Sequence, residues 1–238
     1  MSSLFELHMH TSEVSSCGHV PAVESVRAMR DLGYKGCVIT DHIHPHLVDK
    51  KLGIRFTDDP SVRKPERWLE LLAFYRTGYD LAAEEGARLG MTVLFGSEIR
   101  LQENANDYLL FGDVWKLLSE NPYIVYSDLK TLYTLAKQYG ILVVQAHPFR
   151  PGMIAMPTEH LDGIEIYNGN PRHQHHNCNG KAYLYAQNRG LIETVGSDFH
   201  QWEDLGTAGM LFEDEINSPE ELVSALRSGK YQKVISIH

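Results

Sequence analysis

Leu4 to His10 reads LFELHMH, and the alternation inside it decides how the rest of the chain is read. Phe5, Leu7 and Met9 are apolar while Glu6, His8 and His10 are polar, a period of two that predicts a strand. At strand geometry His8 and His10 project from one face, so both imidazoles can grip a single metal ion without bending the chain. An H-x-H alone is weak evidence, and its weight comes from what lies downstream. Asp41-His42, Glu98, His147 and Asp198 with His200 each follow a short apolar, strand-like run. The ends of strands are where α/β enzymes collect their sites.

Between these runs the chain reads as alternating helix and strand. Pro21 to Leu32 carries apolar residues at helical spacing and stops at Gly33, and Lys35 to Thr40 (KGCVIT) is a buried strand leading into Asp41-His42. Residues 43–64 read as a long loop with His44, His46, Lys50, Lys51, Arg55, Arg63 and Lys64. Because Asp49, Asp58, Asp59 and Glu66 interleave with these cations, a neutralised, solvated face is expected there. One amphipathic helix is expected over Pro65 to Leu89, then a strand from Met91 to Gly96 running up to Glu98. A hairpin-like excursion through Ile99 to Leu101 leads to a fourth strand, Tyr108 to Phe111. Leu129–Tyr139, Ala182–Asn188 and Pro219–Leu226 read as helices. Ile141–Ala146, Asp162–Asn168 and Leu191–Gly196 read as strands, and Lys233 to Ile237 as a short last one.

Regular alternation of this kind implies parallel strands joined by helical crossovers. An open sheet gathers its ligands near one switch point. Polar groups following nearly every strand fit a closed barrel with its active rim at the strand C-termini. The expected fold is therefore α/β, a distorted (β/α)7 TIM-like barrel, organised as one domain over residues 1–238.

Composition narrows the function classes. A chain of 238 residues with 43% hydrophobic and 22% charged residues has ordinary globular values and room for a full core. A formal charge of −9 argues against an extended nucleic-acid surface, leaving a small phosphorylated substrate or a short nucleotide as the expected partner. Cys17, Cys37 and Cys178 are odd in number and lack C-x-x-C spacing, which suggests reduced thiols in a cytoplasmic protein. No signal-like start and no run of 18 apolar residues is present, so neither secretion nor a membrane span is expected. Thirteen histidines are an excess for this length.

His8, His10, His42, Glu98, His147, Asp198 and His200 together form an imidazole and carboxylate set suited to borderline divalent ions such as zinc, manganese or iron. No cysteine is expected in a ligand position. The set exceeds the needs of one ion, so two or three are expected, with Glu98 bridging two. Water bridging such ions becomes hydroxide near neutral pH, a nucleophile for phosphorus or carbonyl carbon.

These residues resemble the polymerase and histidinol phosphatase (PHP) superfamily. The matching pieces are LHMHT at 7–11, ITDH at 39–42, GSEI at 96–99, AHP at 146–148 and GSDFH at 196–200, in family order along nearly the whole chain. The resemblance implies a multinuclear metal site and phosphoesterase activity. By position it implies His8, His10, Glu98 and Asp198 for the first metal, Glu98 and His147 for the second, and His42 and His200 for the third. A loop residue completes the third set, and CGH at 17–19 points to His19. The family commonly supplies a further histidine from the fourth strand. Here 106–115 (NDYLLFGDVW) has none, and the position maps either to Asp107 or near Asp113 to Trp115; Asp107 is taken as the substituted ligand. Arg150, directly after AHP, resembles a phosphate-contacting position. Glu98 and His200 are the expected catalytic residues, with His200 or His19 the candidates to protonate a leaving alkoxide. His173, His175, His176, Tyr167 and Asn168 lie where they could line the pocket. The expected activity is metal-dependent phosphoester hydrolysis through a metal-bound hydroxide. The alternatives are histidinol-phosphate phosphatase, a metal-dependent amidohydrolase and a non-catalytic regulatory module.

Overall fold

The opening alternation folds as read: β1 (Ser3–Met9) is a strand, and the computed structural model describes residues 2–53 and 60–236. Arg55, Asp58 and Asp59 of the expected loop and Ile237 of the expected last strand lie outside the described residues. After β1 come α1 (Ala22–Asp31), β2 (Gly36–Ile39), β3 (His42–Ile43), α2 (Pro45–Leu52), α3 (Pro65–Tyr75) and α4 (Thr77–Leu89). Then follow β4 (Thr92–Phe95), β5 (Ser97–Arg100), β6 (Asp107–Phe111), α5 (Val114–Glu120), α6 (Leu129–Gln138), β7 (Leu142–Gln145) and β8 (Gly163–Asn168). The chain continues through α7 (Asn179–Gln187), β9 (Ile192–Gly196), β10 (Ala208–Phe212), α8 (Pro219–Ser228) and β11 (Tyr231–Ile235).

One sheet has the order β11-β10-β1-β2-β4 and the other β3-β5-β6-β7-β8-β9. They adjoin at two seams. Across Gly96, β4 runs on into β5, and at the other seam β1 meets the end of β9, where His10 N donates to Phe199 O and Phe199 N donates to His8 O. The path β1, β2, β4/β5, β6, β7, β8, β9 and back to β1 follows the strand order that the expected distorted barrel requires. Its distortion has a local cause. The connection from β5 to β6 is too short for a helical crossover, so β6 is antiparallel to both β5 and β7. β1, β2, β6 and β7 are buried almost throughout, as strands covered on both sides are, while β4 is half-buried and the edge strand β11 is largely exposed.

Three differences from the expected elements are physically informative. The first part of the 43–64 loop is α2, capped by the His44 ring accepting from Leu47 N, with Pro45 in its first turn. Proline breaks a helix interior but suits the first turn. The single helix over 65–89 is α3 and α4, parted at Arg76. Gly78, just past the break, lies so close to the loop after β1 that an added Cβ would stand 2.1 Å from Thr11 Oγ1. Finally, α5 and β10 complete the architecture where no element was expected.

Packing ties the outer helices to the strands. Trp68, Leu71 and Tyr75 of α3 form an apolar cluster with Tyr108 and Leu110 of β6 and Val143 of β7. Met9 and Cys37 pack with Val26 and Met29 of α1 and Ala82 of α4, so Cys37 is a core residue as expected. All three cysteines are free thiols. Glu85 of α4 accepts from Arg27 Nε of α1 at 2.6 Å and from Arg88 Nη2 at 2.6 Å. These hydrogen bonds hold its carboxyl down at about 2, against an ordinary 4.5. Between those values the folded state binds fewer protons than the unfolded one, so the stabilisation is complete above pH 4.5 and disappears as pH falls through 2. Glu85→Gln is therefore expected to lower Tm at pH 7, with the gap to wild type closing on acidification; a constant gap in thermal melts across that range would contradict this.

Candidate metal centre

His8 and His10 leave β1 on one side, where Gly196 at the end of β9 makes room for them. A Cβ at Gly196 would lie 2.6 Å from His8 Cβ. Below them Glu6 clasps β1 to the end of β9, accepting from His8 N at 2.8 Å and Ser197 N at 3.0 Å; burial raises its pKa to about 7. Glu98, from β5, sits among four imidazoles. His8 Nε2 is 3.4 Å from its Oε2, His10 Nε2 3.2 Å, and His42 Nδ1 3.0 Å, while His147 Nε2 is 3.0 Å from Oε1. Asp198 Oδ1 approaches His8 Nε2 at 3.3 Å, His10 Nε2 at 3.4 Å and His200 Nδ1 at 3.4 Å. Thus the residues expected at the strand ends do converge. His147 and Asp198 are held at φ +27° and +52°, an uncommon region for non-glycine residues that recurs where a site over-determines its backbone.

The electrostatics of this cluster call for positive charge. Burial works against charge on His8, yet Glu165, Asp198 and Glu98 raise its pKa well above the ordinary imidazole value. Burial likewise opposes charge on His10, but the adjacent carboxylates of Asp198 and Glu98 raise it to about 9. Burial would push Glu98 and Asp198 up, but the surrounding imidazoles hold both well below the carboxylate range. His42 and His200, by contrast, are pushed down by burial, His200 to about 4, and so are neutral imidazoles as metal ligands require. His8 Nε2, His10 Nε2 and Glu98 Oε2 are fully buried and, despite their proximity, have no hydrogen-bond partner. Leaving such groups unpaired is costly, and a divalent cation among them satisfies all three. Within 4.8 Å of one another lie ligand atoms of His8, His10 and Asp198; of His8, Glu98 and His147; of His42, Glu98 and Asp107; and of His10, Cys17, His42 and His200. The donor set fits divalent metal binding.

The last of these groups departs from the sequence expectation in one respect: the Cys17 sulfur lies among the clustered imidazole nitrogens. Its loop is tightly built. The Asp41 carboxylate accepts from Thr11 N, Thr11 Oγ1 and Ser15 Oγ, and Ser15 Oγ accepts in turn from His42 N. Burial, then Glu98 and Asp198, push the free Cys17 thiol up to about 12. His19 is exposed on the wall of the same cavity, outside the clustered ligand atoms.

Asp107 does face Glu98 and His42, but Arg100 grips its carboxylate through Nε at 2.8 Å and Nη2 at 2.6 Å. The β5–β6 register makes this pair, since Arg100 lies directly opposite Asp107. Arg150 is no solvated loop residue: Nη2 donates to Asp198 Oδ2 at 2.8 Å and Nε to Asn177 Oδ1 at 2.9 Å. Sequence reading missed the supports behind the ligands. Glu165 Oε1 lies 2.8 Å from His8 Nδ1 and Oε2 accepts from His147 N, orienting both rings' residues as a carboxylate behind a metal-bound imidazole does. Asn168 donates to the same Glu165, while Tyr167 packs against a second apolar cluster that includes Phe5, Leu7 and Val195.

Above the ligands opens a cavity of about 360 Å³ whose wall includes Arg100, Arg150, Arg172 and His173. His175 and His176 are exposed and do not line it. Lys50 and Lys51 face a neighbouring hollow with His42, His44 and His46. Among the described residues no helix is long and apolar enough to cross a membrane.

A family model described as PHP-associated matches residues 176–231, the stretch that supplies Asp198 and His200. No curated protein matches the chain. Among solved structures, a two-domain Bacteroides vulgatus protein containing a predicted PHP-like metal-dependent phosphoesterase superposes with a TM-score of 0.67 at 20% identity, over 99% of this chain and 65% of that one. PsfC from Pseudomonas syringae gives 0.64 at 17% identity, over 99% and 92%. Endonuclease Q, in complex with a 27-mer duplex bearing an abasic lesion, gives 0.56 at 14% identity, over 99% and 58%. This chain thus spans less than two thirds of the first and third of these proteins.

Proposed function

We propose that the chain is a PHP-type phosphoesterase that hydrolyses esters of phosphoric acid in a small phosphorylated substrate, a reading supported by its fold and by the PHP-associated match at 176–231. The observation that carries this reading is the buried, hydrogen-bond-orphaned trio His8 Nε2, His10 Nε2 and Glu98 Oε2 beneath a cavity walled by arginines. His8, His10, Glu98 and Asp198 would hold a first divalent ion, Glu98 and His147 a second, and His42 and His200 would face a third. Bound there, such ions supply Lewis acidity and acidify water to make a nucleophile near neutral pH.

The chain's own residues do the rest. Arg150, positioned in advance by Asp198, presents its guanidinium to phosphoryl oxygens, while Arg172, whose fork is held by Asp204, adds positive charge to the cavity wall. Glu165 and Asn168 lock the orientation of His8, which keeps the ligand cage from relaxing between turnovers. Exposed at the cavity wall, His19 is free to give a proton to the leaving alkoxide.

Arg150→Ala is expected to lower kcat/KM by roughly 10- to 100-fold, the worth of one charged hydrogen-bonding partner. Metal content should hold, because removing the cation frees Asp198 to bind metal more strongly. Equal kcat/KM in variant and wild type would remove Arg150 from the substrate site. The function itself is tested by stripping the protein with a chelator and reloading it with zinc, manganese or iron. It is then assayed on p-nitrophenyl phosphate, its diester analogue, histidinol phosphate and a panel of amides. Turnover confined to phosphate esters and lost with the metal is the expected result. Preference for amides, or no turnover at full metal content, overturns the proposal.

A further inference from the structure

Cys17 is the member of the cluster that neither the strand-end pattern nor the family resemblance assigns. Its sulfur lies with nitrogen atoms of His10, His42 and His200, all within 4.8 Å of one another. A tetrahedral ion with metal–sulfur near 2.3 Å and metal–nitrogen near 2.0–2.1 Å spaces its ligand atoms about 3.4–3.6 Å apart, so this set is within about 1.5 Å of closing on an ion. We infer that Cys17 is a thiolate ligand of the third metal ion, completing with His42 and His200 a mixed sulfur and nitrogen site. The inference rests on the cluster being a metal centre.

Three features make this more than a cysteine near a pocket. His10, fully buried, brings a ring nitrogen within 4.8 Å of that sulfur and of the His42 and His200 nitrogens. The His200 Nδ1–H donates to Asp198 O at 2.6 Å, which leaves its Nε2 lone pair for a metal. And the loop that carries Cys17 is fixed to the other ligands. His19 N donates to His200 O at 2.7 Å, and Ser15 Oγ accepts from His42 N at 2.9 Å. Next to the cysteine, Gly18 passes so close to Thr11 that a Cβ there would lie 2.6 Å from its carbonyl oxygen. The sulfur is thereby held in place before any ion arrives.

The consequence is a division of labour by ligand softness. Carboxylates and imidazoles dominate the first site, which accepts harder ions such as manganese. A thiolate in the third site favours zinc or iron(II) over manganese or magnesium. The two sites of one chain then prefer different metals.

Cobalt(II) reads the sulfur directly, because a thiolate bound to it gives a near-ultraviolet charge-transfer band. Metal-free protein titrated with cobalt should show that band in the wild type and in the Cys37→Ala/Cys178→Ser double variant, where Cys17 is the remaining thiol. Cys17→Ala should lack the band and bind about one ion fewer per chain, and Cys17→His should regain the ion without the band. Cobalt uptake with no band in the wild type or the double variant, or a band that survives Cys17→Ala, overturns the thiolate assignment while leaving the metal centre standing. A wild-type protein that takes up no cobalt overturns both.

Discussion

Glu98→Gln is expected to cost at least about 10³-fold in turnover and to empty most of the metal centre, although the replacement is almost the same shape. The carboxylate touches His8, His10, His42 and His147, and it is ionised because those imidazoles outweigh the burial that opposes its charge. An amide has one acceptor oxygen in place of two and no charge, and its NH2 turns donors toward nitrogens whose lone pairs are needed for metal. Losing several kcal/mol of cation-derived transition-state stabilisation translates into about 10³-fold or more. Metal analysis after gel filtration, beside kcat at saturating metal, checks the point. A variant within tenfold of wild type at full metal content would show that Glu98 is not a shared ligand. Glu165→Gln provides the contrast. That side chain sits behind His8, so its loss should weaken metal affinity by about 10- to 100-fold and be rescued by excess metal.

What the sequence made legible was set by range. His8 and His10 follow from a period of two within one strand, and the other candidate ligands from their position just past apolar runs; both are local signals. The chain offers no local sign of Cys17, whose partners His42 and His200 arrive from distant segments, so spacing rules for cysteine could not find it. Glu165 is hidden for the same reason, as one polar position in the strand GIEIYN. Asp107 was placed at the site, but its clasp by Arg100 is a matter of hairpin register, fixed by the β5–β6 pairing. The break between α3 and α4 is invisible to periodicity because its neighbour Gly78 packs against a distant loop around Thr11. The helix inside the expected loop, α2, begins at a proline. Pro45 stands in the first turn, where its missing N–H has no intrahelical partner to lose.

Trp68→Ala should be the most destabilising single change away from the metal centre, at about 3–5 kcal/mol. The indole is fully buried on α3, its ring centroid 5.2 Å from that of Tyr123, and its Nε1–H donates to Leu118 O at 2.6 Å. Truncation opens a large cavity and also strands that carbonyl, which adds about 1–3 kcal/mol if no water reaches it. Trp68→Phe separates the two terms: it keeps most of the ring and loses the donor, so its cost should be the smaller one. Destabilisation here bears on the site through Tyr75, about two turns further along α3. Its hydroxyl donates to Asp41 O at 2.5 Å and shares a hydrogen bond with Ser97 Oγ at 2.7 Å, next to His42 and Glu98. In urea the Trp68→Ala midpoint should fall with little change in slope, since the native surface is nearly unchanged. Below the transition the variant should still bind metal, because the ligands come from strands that α3 covers but does not carry. A midpoint shift worth under 1 kcal/mol would mean that the α3 cluster closes over the gap, and that this side of the barrel is far softer than its packing implies.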